Sequence, residues 1–230
     1  MNKPRPVVAG VVLAPGAGAG RDQGALVAMD EALSALGVAV VRIDFPYRLA
    51  GRRAPDRQPV LVETVVTAAR ELAADLGVPG SGLALGGRSM GGRMCSIAVA
   101  EGLPAAGLVL VSYPLHPPGR PERLRVDHFP AIKVPCLFVS GTRDQFGTPS
   151  ELEAATAAIA GPVTRVFIEG GDHGLARRDG EVAAAVAAWV LALAGGPGAK
   201  APRPPTGGPS GPPRPRRSGP RKPGAGRSSP

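Results

Sequence analysis

Ser89 lies in Gly87-Arg88-Ser89-Met90-Gly91, behind the apolar stretch Leu83-Ala84-Leu85 and ahead of a segment whose Met94, Ile97 and Ala98 share one helical face. A serine hydroxyl is a weak nucleophile until a positioned base takes its proton. A sharp strand-to-helix turn supplies the position, holding the serine at its tip in a strained backbone conformation. Gly87 and Gly91 suit such a turn, because neither has a side chain to collide as strand and helix close around it. The first N–H groups of the following helix lack intrahelical partners and point toward negative charge developing on a substrate. With 33 glycines in 230 residues the short pattern alone says little, and a plain glycine-rich turn would look the same. Its weight comes from the partners available downstream in the chain.

The base must come from three histidines, His116, His128 and His173. His173 sits in Gly171-Asp172-His173-Gly174, just past the apolar run Val163–Ile168, so it is expected at the rim where strands end. His116 and His128 fall in an irregular stretch rich in Pro and Arg and read as structural loop residues. The imidazole needs a carboxylate to orient it. Asp144, in Gly141-Thr142-Arg143-Asp144, follows the run Cys136–Ser140 and is the favoured partner. Asp172 competes, although adjacent side chains on a turn usually diverge. An oxyanion hole would use the backbone N–H of Met90 and one from Pro15-Gly16-Ala17-Gly18, either Gly16 or Ala17, because Pro15 has no N–H. Each such donor is worth about 3 kcal/mol in the transition state. The plain alternative is a flexible glycine–alanine loop. Arg88, Arg93 and Arg143 flank these positions and would favour an anionic substrate, or are simply surface arginines of an arginine-rich chain.

Strands and helices alternate regularly around these residues. Val7–Leu13, Val38–Ile43, Leu83–Leu85, Gly107–Ser112, Cys136–Ser140 and Val163–Ile168 read as strands. Gly24–Leu36 reads as a helix with Leu26, Met29, Leu33 and Leu36 inward, stopped by Gly37. Val60–Leu76 is a second, with Val62, Val65, Val66, Ala69 and Leu72 inward. Thr148-Pro149-Ser150-Glu151 is a capping box with Pro at the first helical position, opening a helix to about Ala160. Gly180–Ala194 closes the series. Continuous apolar strands between amphipathic helices specify the α/β class: a doubly wound, mostly parallel sheet in a three-layer sandwich. Sites in such sheets lie at the carboxyl ends of the strands. The stretch from Ser112 to Pro135 is too short for a separate lid domain, which argues against a long-chain lipase.

The formal charge of +9 is unevenly placed. Eight of the 27 basic residues, Lys200, Arg203, Arg214, Arg216, Arg217, Arg221, Lys222 and Arg227, lie in residues 195–230 without an acid. The other 19 face all 18 acids in residues 1–194, a nearly neutral body. The tail 195–230 has no large apolar residue and is expected to be disordered. It serves either as a solubilising extension or as a weak contact to nucleic acid or an anionic surface, with no aromatic between its arginines to stack on bases. Pro212-Pro213-Arg214-Pro215 also fits a proline-recognition motif. Cys95 and Cys136 fall in predicted helix and strand as small core residues of a reducing compartment. No Cys/His cluster has ligand spacing, so neither a metal nor a cofactor is expected. The run Val7–Leu13 is short and β-branched, unlike a signal peptide, and Val182–Ala194 is too short to span a bilayer. A cytoplasmic, soluble protein with one domain over 1–194 is expected.

The motifs together resemble the small α/β-hydrolases of the dienelactone-hydrolase-like kind. Within these, the likeness is strongest to the domain in the third regulatory subunit of the NSL histone-acetyltransferase complex and a testis-expressed relative. The resemblance covers roughly residues 8–190 and rests on Ala14-Pro15-Gly16-Ala17-Gly18, Asp44-Phe45-Pro46-Tyr47, Gly87 to Arg93, Tyr113-Pro114-Leu115-His116-Pro117-Pro118-Gly119, Gly141 to Asp144 and Gly171-Asp172-His173. It implies the α/β-hydrolase fold in a minimal form and Ser89, Asp144 and His173 as triad positions, in the chain order of that fold. The group usually has a histidine where Pro15 stands, and dienelactone hydrolases proper use a cysteine where this chain has Ser89. The expected activity is hydrolysis of small soluble carboxylic esters or thioesters through an acyl-enzyme. The competing expectation is a non-catalytic interaction module that keeps the fold, favoured by the basic tail.

Overall fold

Apolar strands that carry core residues on both sides need a layer on each face, and this sheet has one. The computed structural model describes residues 8–195. Six parallel strands, β1 (Gly10–Ala14), β2 (Ala39–Arg42), β3 (Leu83–Arg88), β4 (Gly107–Val111), β5 (Cys136–Gly141) and β6 (Val163–Ile168), pair in the order β2-β1-β3-β4-β5-β6. Residue parity sorts their side chains. Val12, Leu108, Leu110 and Phe138 join the core beneath α3 (Gln58–Leu76), α4 (Met90–Ala100) and α5 (Pro149–Thr156). Val11, Leu13, Val109 and Leu137 join the core beneath α1 (Gly24–Ser34) and α6 (Asp179–Gly195). The sheet is open, and its order reverses between β1 and β3, where a crevice forms beyond the strand ends.

Several boundaries differ from the sequence expectation. The helix α1 ends at Ser34, and Leu36, expected inward, is 41% exposed. The chain has by then turned toward Gly37, whose φ of +77° suits only glycine without cost. The helix α3 starts at Gln58, with Pro59 in its first turn, and buries Leu61 besides the expected Val62, Val65, Ala69 and Leu72, while Val66 is only partly buried. Thr148 and Glu151 exchange both capping-box bonds, as their spacing predicts, but α5 stops at Thr156 rather than near Ala160. Its last turn tightens, with Ala158 N–H donating to Ala155 O, and the Thr156 hydroxyl donates back to Leu152 O. The four-residue helix α2 (Pro46–Leu49) was not anticipated. The irregular connection from Ser112 to Pro135 is not a surface loop throughout: Tyr113, Leu115 and Phe129 are fully buried under α4 and β5. The basic tail expected over 195–230 lies, past Gly195, outside the described residues. Among the described residues no helix is long and apolar enough to cross a membrane.

Two glycines let β3 and α4 press against the end of β1. A Cβ on Gly87 would stand 2.0 Å from the Ala14 carbonyl oxygen, and one on Gly91 would stand 2.1 Å from the same atom. Backbone cannot yield as a flexible side chain can. Gly91→Ala is therefore expected to destabilise the protein by about 3 kcal/mol or more, read as a lower denaturant midpoint at unchanged slope. An unchanged midpoint would contradict this packing.

Candidate active site

The strand β3 ends at Arg88 and α4 begins at Met90, so Ser89 takes the whole reversal. Its φ of 48° and ψ of −114° are strained for a non-glycine residue. The Ser89 N–H donates to Val111 O at 2.8 Å, which ties the turn to the end of β4. The hydroxyl is thereby lifted above the strand ends, toward the two neighbouring loops.

Those loops come from β5 and β6 and are fastened to each other. A Cβ on Gly141 would lie 2.2 Å from Gly171 O, so only glycine permits the approach. Arg143 N–H donates to Gly171 O at 2.8 Å and Gly170 N–H to the Thr142 hydroxyl at 2.8 Å. Asp144 and His173 are thus held face to face. His173 Nδ1 stands 2.9 Å from both Asp144 oxygens, and His173 Nε2 stands 2.9 Å from Ser89 Oγ. A carboxylate only accepts, so Nδ1 carries the hydrogen and Nε2 is left with a lone pair toward the hydroxyl. Asp144 is 2% exposed and also accepts the Phe146 N–H at 2.8 Å. The Phe146 ring covers the imidazole at 4.0 Å between centroids. Asp172, the competing carboxylate, is exposed and makes no hydrogen bond to His173.

The loop after β1 forms the opposite wall. Gly16 N–H donates to Gln23 Oε1 at 3.0 Å and Gly18 N–H to the buried Tyr47 hydroxyl at 2.9 Å. Between them Ala17 N–H, like Met90 N–H at the start of α4, has no hydrogen-bond partner among the described residues. Gly16, one of the two expected donors on this loop, is thus already engaged. The cleft lined by Ala17, Ser89, Met90, Phe146 and His173 has a volume of about 470 Å³, that of a small-molecule site.

The flanking arginines separate into roles that spacing did not reveal. Arg88 donates from its guanidinium to His173 O at 2.7 Å, a brace for the histidine loop. Burial holds its pKa below the ordinary value against the pull of Asp179, Asp144 and Asp172. Arg143 is exposed and does not line the cleft, whereas Arg125, which sequence reasoning passed over, does. Tyr47 acts on Gly18 across 29 positions and Gln23 on Gly16 across seven, Arg125 reaches the cleft from a later connection, and the Asp44-Phe45-Pro46-Tyr47 motif was the single available signal among them. His116 and His128 are structural, but inside the fold. His116 is 5% exposed, with Nδ1 donating to Pro117 O, and Nε2 of His128 meets the buried Ser96 hydroxyl at 2.8 Å. Among the described residues no cluster of three or more His, Cys, Asp or Glu could hold a metal ion.

An open parallel sheet with a strained serine between β3 and its helix, followed by a carboxylate and a histidine at later strand ends, is the architecture of the α/β-hydrolase class. A family described as alpha/beta hydrolase domain matches residues 7–192, and the chain belongs to it. Among solved structures it is similar to an alpha-beta serine hydrolase homologue from Coxiella burnetii, at 19% identity and TM-score 0.64 over 77% of this chain and 83% of that one. It is similar to dienelactone hydrolase from Anabaena variabilis at 21% identity and TM-score 0.63, over 79% and 85% of the two chains. Est1E from Butyrivibrio proteoclasticus aligns at 17% identity and TM-score 0.66, over 81% and 88%. A curated relative, epoxide hydrolase A of Mycobacterium tuberculosis, is 40% identical over 63 residues, which span 27% of this chain and 20% of that enzyme. The narrower likeness to the NSL-subunit group rests on the sequence motifs alone.

His128 carries a pH signature of this region. Burial first, and then the positive charge of Arg93, push its pKa down to about 4 from 6.5. The unfolded chain therefore binds the proton first as pH falls. The stability due to neutral His128 is complete above pH 6.5 and is lost progressively toward pH 4. His128→Gln, which keeps a polar partner for Ser96, is expected to lose less stability than the native protein across that window in thermal melts. Parallel curves for the two proteins would contradict the assignment.

Proposed function

We propose that the protein is a serine hydrolase of small carboxylic esters or thioesters, working through an acyl-enzyme. The observation that carries the reading is the unbroken hydrogen-bonded row Ser89–His173–Asp144 at the mouth of a family fold. As Ser89 Oγ bonds to the substrate carbonyl carbon, its proton passes to His173 Nε2. The carbonyl π pair moves onto oxygen, where the N–H groups of Met90 and Ala17 stabilise it, with Gly16 shaping the loop through Gln23. Collapse of the tetrahedral species breaks the bond to the alkoxide or thiolate, which leaves with the His173 proton. A water molecule then repeats the sequence, losing a proton to His173, and releases the acid and the free serine. Asp144 keeps the imidazole turned and offsets its positive charge at each stage.

The size of the cleft supports small substrates. Two free cysteines, both buried and with thiol pKa values pushed up to about 12 by that burial, support a reducing, cytoplasmic setting and a role in packing. A domain over 1–194 and a basic extension over 195–230, either solubilising or in weak contact with an anionic surface, complete the reading.

The test is hydrolysis of a panel of short acyl p-nitrophenyl esters and acyl thioesters by the full chain. Ser89→Ala is expected to lower kcat by about 10⁴-fold or more, and Asp144→Asn by about 10⁴-fold. Turnover that is unchanged in Ser89→Ala would remove this serine from the chemistry. A folded native protein inert toward the whole panel would favour the non-catalytic interaction module instead.

A further inference from the structure

The cleft that holds Ser89 and His173 is lined by two guanidinium groups without an acidic partner. Arg93 stands one helical turn beyond Ser89 on α4, so both side chains rise on the same face. Arg125 reaches the cleft from the connection between β4 and β5. Neither has a carboxylate within ion-pair distance among the described residues, although Arg21, Arg42, Arg52 and Arg178 each do. The Arg93 guanidinium donates once, to the neutral amide of Gln58 at 3.1 Å, and its Nε is buried with no acceptor.

The surroundings anchor the backbones of these two residues without neutralising their side chains. Arg125 N–H donates to Leu115 O at 2.8 Å, and its carbonyl accepts the Tyr113 hydroxyl at 2.9 Å. Arg93 O accepts the Ser96 hydroxyl at 2.8 Å, which in turn meets His128. Tyr113, Ser96 and His128 are neutral near pH 7, the last because burial and Arg93 keep its proton off. Burial and the neighbouring Arg93 charge also hold the Arg125 pKa below its ordinary value. Two like charges in a half-enclosed cleft repel at a cost that a bound anion removes. Arg88 differs, being committed to the histidine loop and balanced by acids.

We infer that Arg93 and Arg125 form an anion-binding subsite beside Ser89, and that the substrate is an ester or thioester carrying a second, negatively charged group, a carboxylate or a phosphate, a short chain away from the scissile carbonyl. The inference rests on Ser89 being the nucleophile. The guanidinium pair holds the remote anion, so the carbonyl is presented to the hydroxyl in a fixed register.

The test compares kcat/KM for anionic and neutral esters of matched length in the full chain. One arm sets monomethyl adipate against dimethyl adipate, and the other sets 2-acetoxyethyl phosphate against 2-methoxyethyl acetate. The native protein is expected to prefer the anionic member of at least one pair by about 10- to 100-fold, and the arm with the larger ratio names the anion. Arg93→Met and Arg125→Met should each bring that ratio close to unity, and raising NaCl should erode it in the native protein. The salt series keeps the test decisive where a variant folds poorly. Ser89-dependent turnover with no anionic preference, or a preference untouched by both substitutions, overturns the subsite and leaves the nucleophile standing. Absence of any Ser89-dependent turnover overturns the nucleophile, and the subsite with it.

Discussion

The Ala14 carbonyl is wedged between Gly87 and Gly91, closer than any Cβ would allow, and this contact governs the geometry of the cleft. Because the last residue of β1 abuts both limbs of the turn, Ser89 cannot relax into an ordinary backbone conformation. The same contact sets the loop after Ala14 against the first turn of α4. Ala17 and Met90, whose N–H groups have no partner among the described residues, thereby line one cleft with Ser89. A second close approach, Gly141 against Gly171, does for the acid and the base what the first does for the serine. Both approaches are backbone against backbone, so they are rigid.

These approaches occur where they do because of the strand order. A reversal between β1 and β3 leaves the ends of β1, β3 and β4 adjacent, with β5 and β6 following on one side. Every residue of the candidate site on β3, β5 and β6 lies within a few positions of a strand's carboxyl end. The hydrogen-bonded row then crosses the sheet from loop to loop. The charge distribution obeys the same geography. Acids compensate Arg88 on the histidine side, while the side formed by α4 and the β4–β5 connection keeps two uncompensated arginines.

The part of the molecule legible in the sequence was the part governed by local pattern. Runs such as Leu108-Val109-Leu110 and Leu137-Phe138-Val139 are apolar at every position, which only a doubly covered strand requires, and the sheet bears this out. The turn chemistry around Ser89 and the capping box at Thr148 are equally short-range. The triad-type row could be anticipated because each member directly succeeds a recognisable strand. Arg125 and Gln23 could not, since neither belongs to a motif or a periodic face, and Tyr47 was marked only by its motif. The burial of His116 and the part-burial of His128 were hidden for a similar reason. Their connection is irregular, yet Tyr113, Leu115 and Phe129 pull it into the core. Leu36 erred the other way: it continues the helical pattern of α1 after the helix itself has ended.

The proposed chemistry stands on a strained serine made nucleophilic by the imidazole beside it. A fluorophosphonate reacts only with a serine so activated, and peptide mass mapping locates the bond it forms. One adduct is expected, on the peptide containing Ser89, formed rapidly in the native protein and lost in His173→Ala. A folded protein that takes no label, or that takes it elsewhere with Ser89 untouched, would contradict a nucleophilic Ser89.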